Sequence, residues 1–280
     1  MLFTLAASTG IIIIVIAFFS EYVDSTLGMG YGTALTPVLL IFGFQPLEVV
    51  PAVLLSEFVT GLLAGLIHNA VGNVDFKPKT INVSRIVNAF KKHGVVESFR
   101  RGVPLHLKVA LLIAACSIAG TLSAVLIAIS LPAFYLKLYI GVLVLIIGVV
   151  IFATMNRDFG FSWKKVVFLG LVASFNKGMS GGGYGPVVTG GQIIAGVDGR
   201  NAIGITSLAE GLTCFVGIAA YFLSRAEVSW RLAPYLLIGA VLSVPLSAFS
   251  VKVIRSDVLR YIIGAVTVGL GIMTIVKLVL

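Results

Sequence analysis

Charge is scarce in this sequence. Of its 280 residues only 11% are Asp, Glu, Lys or Arg, well under the roughly 25% usual in soluble domains. That scarcity excludes soluble globular and disordered classes. Cysteine is almost missing, with Cys116 and Cys214 the only two. Both lie in apolar stretches without Cys-x-x-Cys or metal-ligand spacing. This excludes a disulfide scaffold and leaves them as small packing residues. Only three histidines occur, His68, His93 and His106, at span ends or in a polar loop, where solvated surface is expected. No cofactor or metal site is expected. Residues 1–23 lack both a basic leader and a small-x-small cleavage site, so they read as a retained segment.

Apolar residues fill the space instead. They make up 59% of the chain, and the mean hydropathy is +1.10. Apolar segments fall at 3–23, 33–44, 47–70, 107–130, 134–154, 163–176, 186–196, 201–223, 232–250 and 258–280. A span of the bilayer core takes about 20 residues of helix. About six segments are long enough to cross alone; 33–44, 163–176 and 186–196 are too short and flank glycine clusters. The expected fold is an all-α polytopic membrane protein of about 8–10 membrane segments.

The net charge of +9 would suggest nucleic acid in a soluble chain. Here the basic residues sit mostly in loops and set orientation. The polar stretch 72–106 carries seven basic residues against two acidic ones. Within it, 84–92 reads either as an amphipathic interfacial helix or as plain solvated loop.

The chain repeats itself. At a shift of 153 residues, 28–60 lies on 181–213 without a gap, with ten identities in 33 positions. Among them are Gly28/Gly181, Gly30/Gly183, Tyr31/Tyr184, Gly32/Gly185, Thr36/Thr189, Glu57/Glu210 and Thr60/Thr213. Gly141 and Gly148 match Gly264 and Gly271 at a shift of 123, the difference reflecting the longer first-half loop. The expected units are 1–155, which includes that basic loop, and 156–280. The basic loops 72–106, 157–165 and 252–260 are expected inside, which puts both termini outside, in the periplasm of a bacterial inner membrane. Each unit then crosses an odd number of times, so the two are inverted. Inverted repeats with glycine-interrupted helices are a transporter signature.

The first glycine segment reads Asp24-Ser-Thr-Leu-Gly28-Met-Gly30-Tyr31-Gly32-Thr33. The second reads Asn176-Lys177-Gly-Met-Ser180-Gly181-Gly182-Gly183-Tyr184-Gly185-Pro186. Each leads into a short helix whose first turn offers unpaired N–H groups and the positive end of a dipole, a ready anion site. Pro186 fits the first helical position. The plainer alternative is that the glycines only permit tight packing. Lys177 occupies the position of Asp24 in the other copy. It binds an anion, pairs with a carboxylate (Asp24 being the obvious candidate), or snorkels to the surface. Glu57 and Glu210 lie mid-segment and either carry protons or accept hydrogen bonds from the helix starts. Thr60, Thr213, Thr36, Thr189, Asn176, Ser180 and Gln192 can hydrogen-bond an oxyanion or a neighbouring helix. Tyr31 and Tyr184 can donate or fill the gap. Trp163 and Trp230 stand at span starts, where interfacial anchors belong.

At these segments the chain resembles the sulfite exporter TauE/SafE family, through 28–43 (GMGYGTALTPVLL followed by Gly43) and 178–196 (GMSGGGYGPVVTGGQIIAG). The resemblance implies movement of sulfite, organosulfonates or related sulfur anions across a bacterial inner membrane. Expected partners are such an anion and the lipid bilayer, with a homodimer as one arrangement and no nucleic acid.

Other classes compete. A cation channel would use Gly-Tyr-Gly carbonyls as a filter, but filters form symmetric rings and Lys177 repels cations. The Gly178–Gly181 tetrapeptide is like that of an intramembrane serine protease, but no mid-span histidine stands ready to activate Ser180. A membrane scaffold would not need duplicated glycine segments. Export of one negative charge against 100 mV, inside negative, gains about 2.3 kcal/mol, or roughly 46-fold accumulation. Export thus needs no coupled ion; proton coupling through Glu57 or Glu210 is the variant.

Overall fold

The computed structural model describes residues 7–77, 102–153, 163–194, 197–224, 229–251 and 256–279. Ten helices occur among them: α1 (Ala7–Leu27), α2 (Tyr31–Ile41), α3 (Pro46–Val71), α4 (Leu105–Ser130), α5 (Ala133–Ala153), α6 (Trp163–Ser180), α7 (Gly185–Ile194), α8 (Gly199–Leu223), α9 (Ala233–Ser250) and α10 (Ser256–Val279). Five are long and apolar enough to cross a membrane: α1 (from Ser8), α3, α4, α8 and α9. The basic runs at 84–92, 157–162 and 252–255, and His93, lie outside the described residues.

Two helices run past their apolar stretches. Asp24–Leu27 completes α1, and Lys177–Ser180 completes α6. The chain leaves the helix only at 28–30 and at 181–184. Gly28 (φ 67) and Gly181 (φ 71) make the two exits, in a left-handed conformation that side chains with a Cβ disfavour. Gly185 rather than Pro186 opens α7, which leaves the proline within the first turn, where its missing N–H costs nothing.

Packing centres on a crossing of α3 with α8. Gly61 and Gly211 meet there, and a Cβ on Gly61 would stand 2.8 Å from the Gly211 backbone. Small residues permit such close approach where lipid gives no hydrophobic drive between helices. Around this crossing α1 packs on α9, α4 on α6, and α5 on α10, while α3 also meets α9 and α4 also meets α8. One apolar core gathers Ile13, Leu35, Val53, Leu54, Tyr221 and Leu236 about Tyr31, and a second gathers Val109, Ile113, Val188 and Ile205 about Tyr184. Outward faces are apolar as well: Phe19, Leu66, Leu126, Phe168 and Phe222 are exposed, which suits contact with acyl chains. Trp163 is exposed, and Trp230 is partly buried against the first core.

The two glycine turns lie on each other, backbone to backbone. A Cβ on Gly32 would overlap the carbonyl of Gly181, one on Gly182 would come 2.7 Å from the Gly32 carbonyl carbon, and one on Gly185 would overlap the Gly28 carbonyl. Gly32→Ala is therefore expected to destabilise the protein by about 2–4 kcal/mol. Gly102→Ala, where a Cβ meets nothing within 4 Å, is expected to leave the melting temperature unchanged. Thermal denaturation of the detergent-purified variants checks both.

Candidate functional site

Lys177 projects from the last turn of α6 and is fully buried. Its ammonium reaches Glu210 on α8 at 2.6 Å and pairs also with Glu57 on α3. Asp24 is therefore not its ion-pair partner. Asp24 instead accepts the backbone N–H of Tyr31 at 3.1 Å, at the start of α2. The sequence offers that capping role to the glutamates as one of two alternatives; at the start of α2 it is Asp24 that fills it. The reason is reach: Asp24 ends α1 just before the turn, whereas Glu57 and Glu210 stand mid-helix and face inward.

The remaining candidates fall around this triad and are all buried: Gly28, Gly30, Tyr31, Gly32, Thr33, Thr60, Ser180, Gly181, Gly182, Gly183, Tyr184, Gly185, Gln192 and Thr213. The unwound backbone finds partners across the two turns. Gly183 N–H donates to Thr33 Oγ1 at 3.0 Å, and Thr189 Oγ1 donates to the Gly28 carbonyl at 2.7 Å. Gly182 N–H donates to Ser180 Oγ at 3.1 Å. Tyr31 and Ser56 hydroxyls lie 2.8 Å apart, and Thr213 donates to Tyr184 Oη at 3.2 Å. Gln192 Nε2 donates to Thr206 Oγ1 at 3.0 Å, and Asn176 accepts from Tyr139 at 2.8 Å. Such mutual satisfaction is what non-helical backbone at membrane depth requires. Three buried oxygens at or beside the site have no hydrogen-bond partner in the described structure: Thr36 Oγ1, Glu57 Oε1 and Gln192 Oε1. Buried polar groups are normally paired; of these three, the Thr36 hydroxyl can donate, and the Glu57 and Gln192 oxygens accept.

Two residues here escape the sequence reading. Glu21, one turn before Asp24, is buried and accepts from Thr60 Oγ1 at 3.2 Å. Its position near the end of an apolar run hides it; the signal is its i, i+3 spacing from Asp24, which puts both on one face. His68 is fully buried and not on a solvated surface. Its Nδ1 accepts from Asn73 Nδ2 at 2.9 Å and its Nε2 donates to the Ser25 carbonyl at 3.0 Å. Asn73 also donates to the Ala248 carbonyl at 3.1 Å, so α1, α3 and α9 are tied at one end. His106 Nδ1 accepts from the Asp75 N–H at 3.2 Å near the surface. Cys214 is buried and its thiol lies 3.8 Å from Glu57 Oε2, while Cys116 is half-buried.

A buried cation shared by two carboxylates thus stands beside the two glycine turns. The family model described as "Sulfite exporter TauE/SafE" matches residues 76–274. The chain belongs to the TauE/SafE family. It is also 25% identical over 276 residues to the probable membrane transporter protein YtnM of Bacillus subtilis (strain 168), covering 94% of this chain and 81% of that protein. No solved structure matches. The protein is thus a multi-pass membrane transporter and not an enzyme, and the family's name implies a sulfite-type substrate.

Removing one member of a buried ion triad strands the others. Lys177→Met is expected to destabilise by about 3–5 kcal/mol. Adding Glu57→Gln and Glu210→Gln to Lys177→Met is expected to restore part of that loss. Melting temperatures of the single, double and triple variants check this coupling.

Proposed function

We propose that this transporter moves sulfite or a related small organosulfur anion outward across the bacterial inner membrane. Alternating access takes place around Lys177 and the two glycine turns. The observation that carries the reading is Lys177 itself, the one buried Lys or Arg among the described side chains. Burying an ammonium is costly, and a charge retained at such cost suits a ligand of opposite sign. The N–H-rich start of α7 and the hydroxyl of Thr36, which stands beside Gly181 without a hydrogen-bond partner in the described structure, supply the remaining contacts of an oxyanion shell. The substrate-binding residues are Gly28, Gly30, Tyr31, Gly32, Thr33, Lys177, Ser180, Gly181–Gly185 and Gln192. Asp24, Glu57, Glu210, Thr60 and Thr213 act as coupling or structural groups.

The same reading takes residues 1–155 and 156–280 as inverted repeats. Reciprocal packing supports it. Exchanging α1–α5 for α6–α10 turns the α1–α9 contact into α6–α4, and α3–α9 into α8–α4. It maps the α3–α8 and α5–α10 contacts onto themselves. With the basic loop 72–106 inside, both termini lie outside.

Thermal stabilisation by small anions tests the substrate class. Sulfite, thiosulfate, sulfate, sulfoacetate, phosphate and chloride would be compared, with potassium as the cation control. A saturable rise with sulfite or a sulfonate is expected, about 2.7 kcal/mol at a hundredfold excess over Kd, and lost in Lys177→Met. A rise with potassium alone would overturn the reading in favour of a cation channel.

A further inference from the structure

The buried centre holds more acid than base. Four carboxylates lie within mutual electrostatic reach, Glu21 and Asp24 on α1, Glu57 on α3 and Glu210 on α8, against the single ammonium of Lys177 on α6. The other ionisable groups facing the cluster are Tyr31 on α2, Tyr184 ahead of α7, Cys214 on α8 and, through the Gly178 carbonyl, Tyr221 on α8. Tyr139 of α5 reaches the neighbouring Asn176. Thr121 of α4 hydrogen-bonds the Ser174 carbonyl. Among the described residues no group of three or more His, Cys, Asp and Glu is arranged to hold a metal ion.

Lys177 is already engaged by two glutamates. An anion that takes its ammonium competes with these two carboxylates, and close contact with it breaks one of the two pairs. The displaced carboxylate is then buried with no cation, a state that protonation relieves. The two glutamates are not equivalent. Glu57 Oε2 keeps the Cys214 thiol as a neighbour, and Glu57 Oε1 is unpartnered already. Both carboxylates have Lys177 as a partner; Glu57 would keep the Cys214 thiol without it, whereas Lys177 is the one partner of the Glu210 carboxylate among the described contacts.

We propose that anion binding at Lys177 is coupled to uptake of one proton by Glu210, so that the carrier moves anion and proton together. This rests on the anion reading above. The step balances simply. The Lys177–Glu210 contact breaks, a Lys177–anion contact forms, and the Glu210 carboxylate takes a proton from solvent to become a carboxylic acid. Lys177 remains an ammonium throughout. The travelling complex carries one negative charge fewer than the anion alone. A dianion with its proton is still pushed outward by an inside-negative potential, whereas a monoanion with its proton moves indifferently to it.

Isothermal titration calorimetry of the full-length protein in detergent tests this, run at one pH in two buffers of different ionisation enthalpy. The probes are thiosulfate and methanesulfonate, which have no proton of their own to exchange near neutral pH, and sulfite. For sulfite, the difference between wild type and Glu210→Gln isolates the protein's share. The expected result is uptake of about one proton per anion bound, with affinity rising about tenfold per unit fall in pH. In Glu210→Gln, whose neutral amide mimics the protonated acid, the anion still binds without proton uptake and with flat pH dependence. Glu57→Gln keeps the uptake. Binding to wild type without proton uptake, or uptake that persists in Glu210→Gln, overturns the coupling and leaves the anion reading standing. Failure of all three probes to bind wild type overturns the anion reading and the coupling with it.

Discussion

The ammonium of Lys177, held between the carboxylates of Glu57 and Glu210, ties α6 to both helices of the central crossing. None of the three charges is tolerable alone at that depth. Their shared geometry therefore fixes how α3 and α8 must cross, and the crossing in turn dictates what stands on it. A larger residue at Gly61 or Gly211 would push the helices apart and pull the glutamates off the lysine. The packing of small residues and the placement of charge are one constraint seen from two sides.

The glycine turns answer to that constraint. Lys177 reaches the triad because α6 continues through Ser180 before the chain turns at Gly181. The turn exposes backbone groups in a region with no bulk water, and the opposite turn supplies the partners: Thr33 for Gly183, and Thr189 for the carbonyl of Gly28. Contact close enough for these bonds leaves no room for Cβ atoms at Gly32, Gly182 or Gly185. In this arrangement the glycines serve packing and backbone satisfaction together. Alternating access, on the reading proposed above, would separate two surfaces that hydrogen-bond each other, and a ligand would have to replace those bonds. An oxyanion, rich in acceptors, can replace the carbonyls and hydroxyls that the N–H groups lose.

Much of this was legible in the residues. Ten helices fall on the ten apolar segments because hydropathy alone selects helical spans in lipid. The duplicated Gly-Tyr-Gly triplets mark both turns, since only glycine combines a left-handed exit with close approach. What the sequence could not give was pairing. Asp24 and Lys177 are opposite in charge at matching positions, which invited an ion pair between them. Glu57 and Glu210 won because side-chain direction from mid-helix, not spacing along the chain, decides which group reaches the ammonium. Glu21 and His68 were hidden for a related reason. Each lies near the end of an apolar run, where a polar residue usually meets headgroups or water. Tertiary contacts with Thr60 and with Ser25 and Asn73 bury them instead.

The exchange of Asp24 for Lys177 carries a consequence for how many anions such a site takes. Asp24 places its carboxylate on the Tyr31 N–H, so the start of α2 is already occupied by an anion of the protein's own. The matching position before α7 carries a cation, which cannot fill that role. A fully symmetric pair of turns would present two equal anion sites or, with two carboxylates, none. Opposite charges at the two positions leave one helix start self-capped and the other beside a lysine. On the repeat relation proposed above, the two halves would build a common frame, and the departure from it at one pair of residues would leave a single site within it.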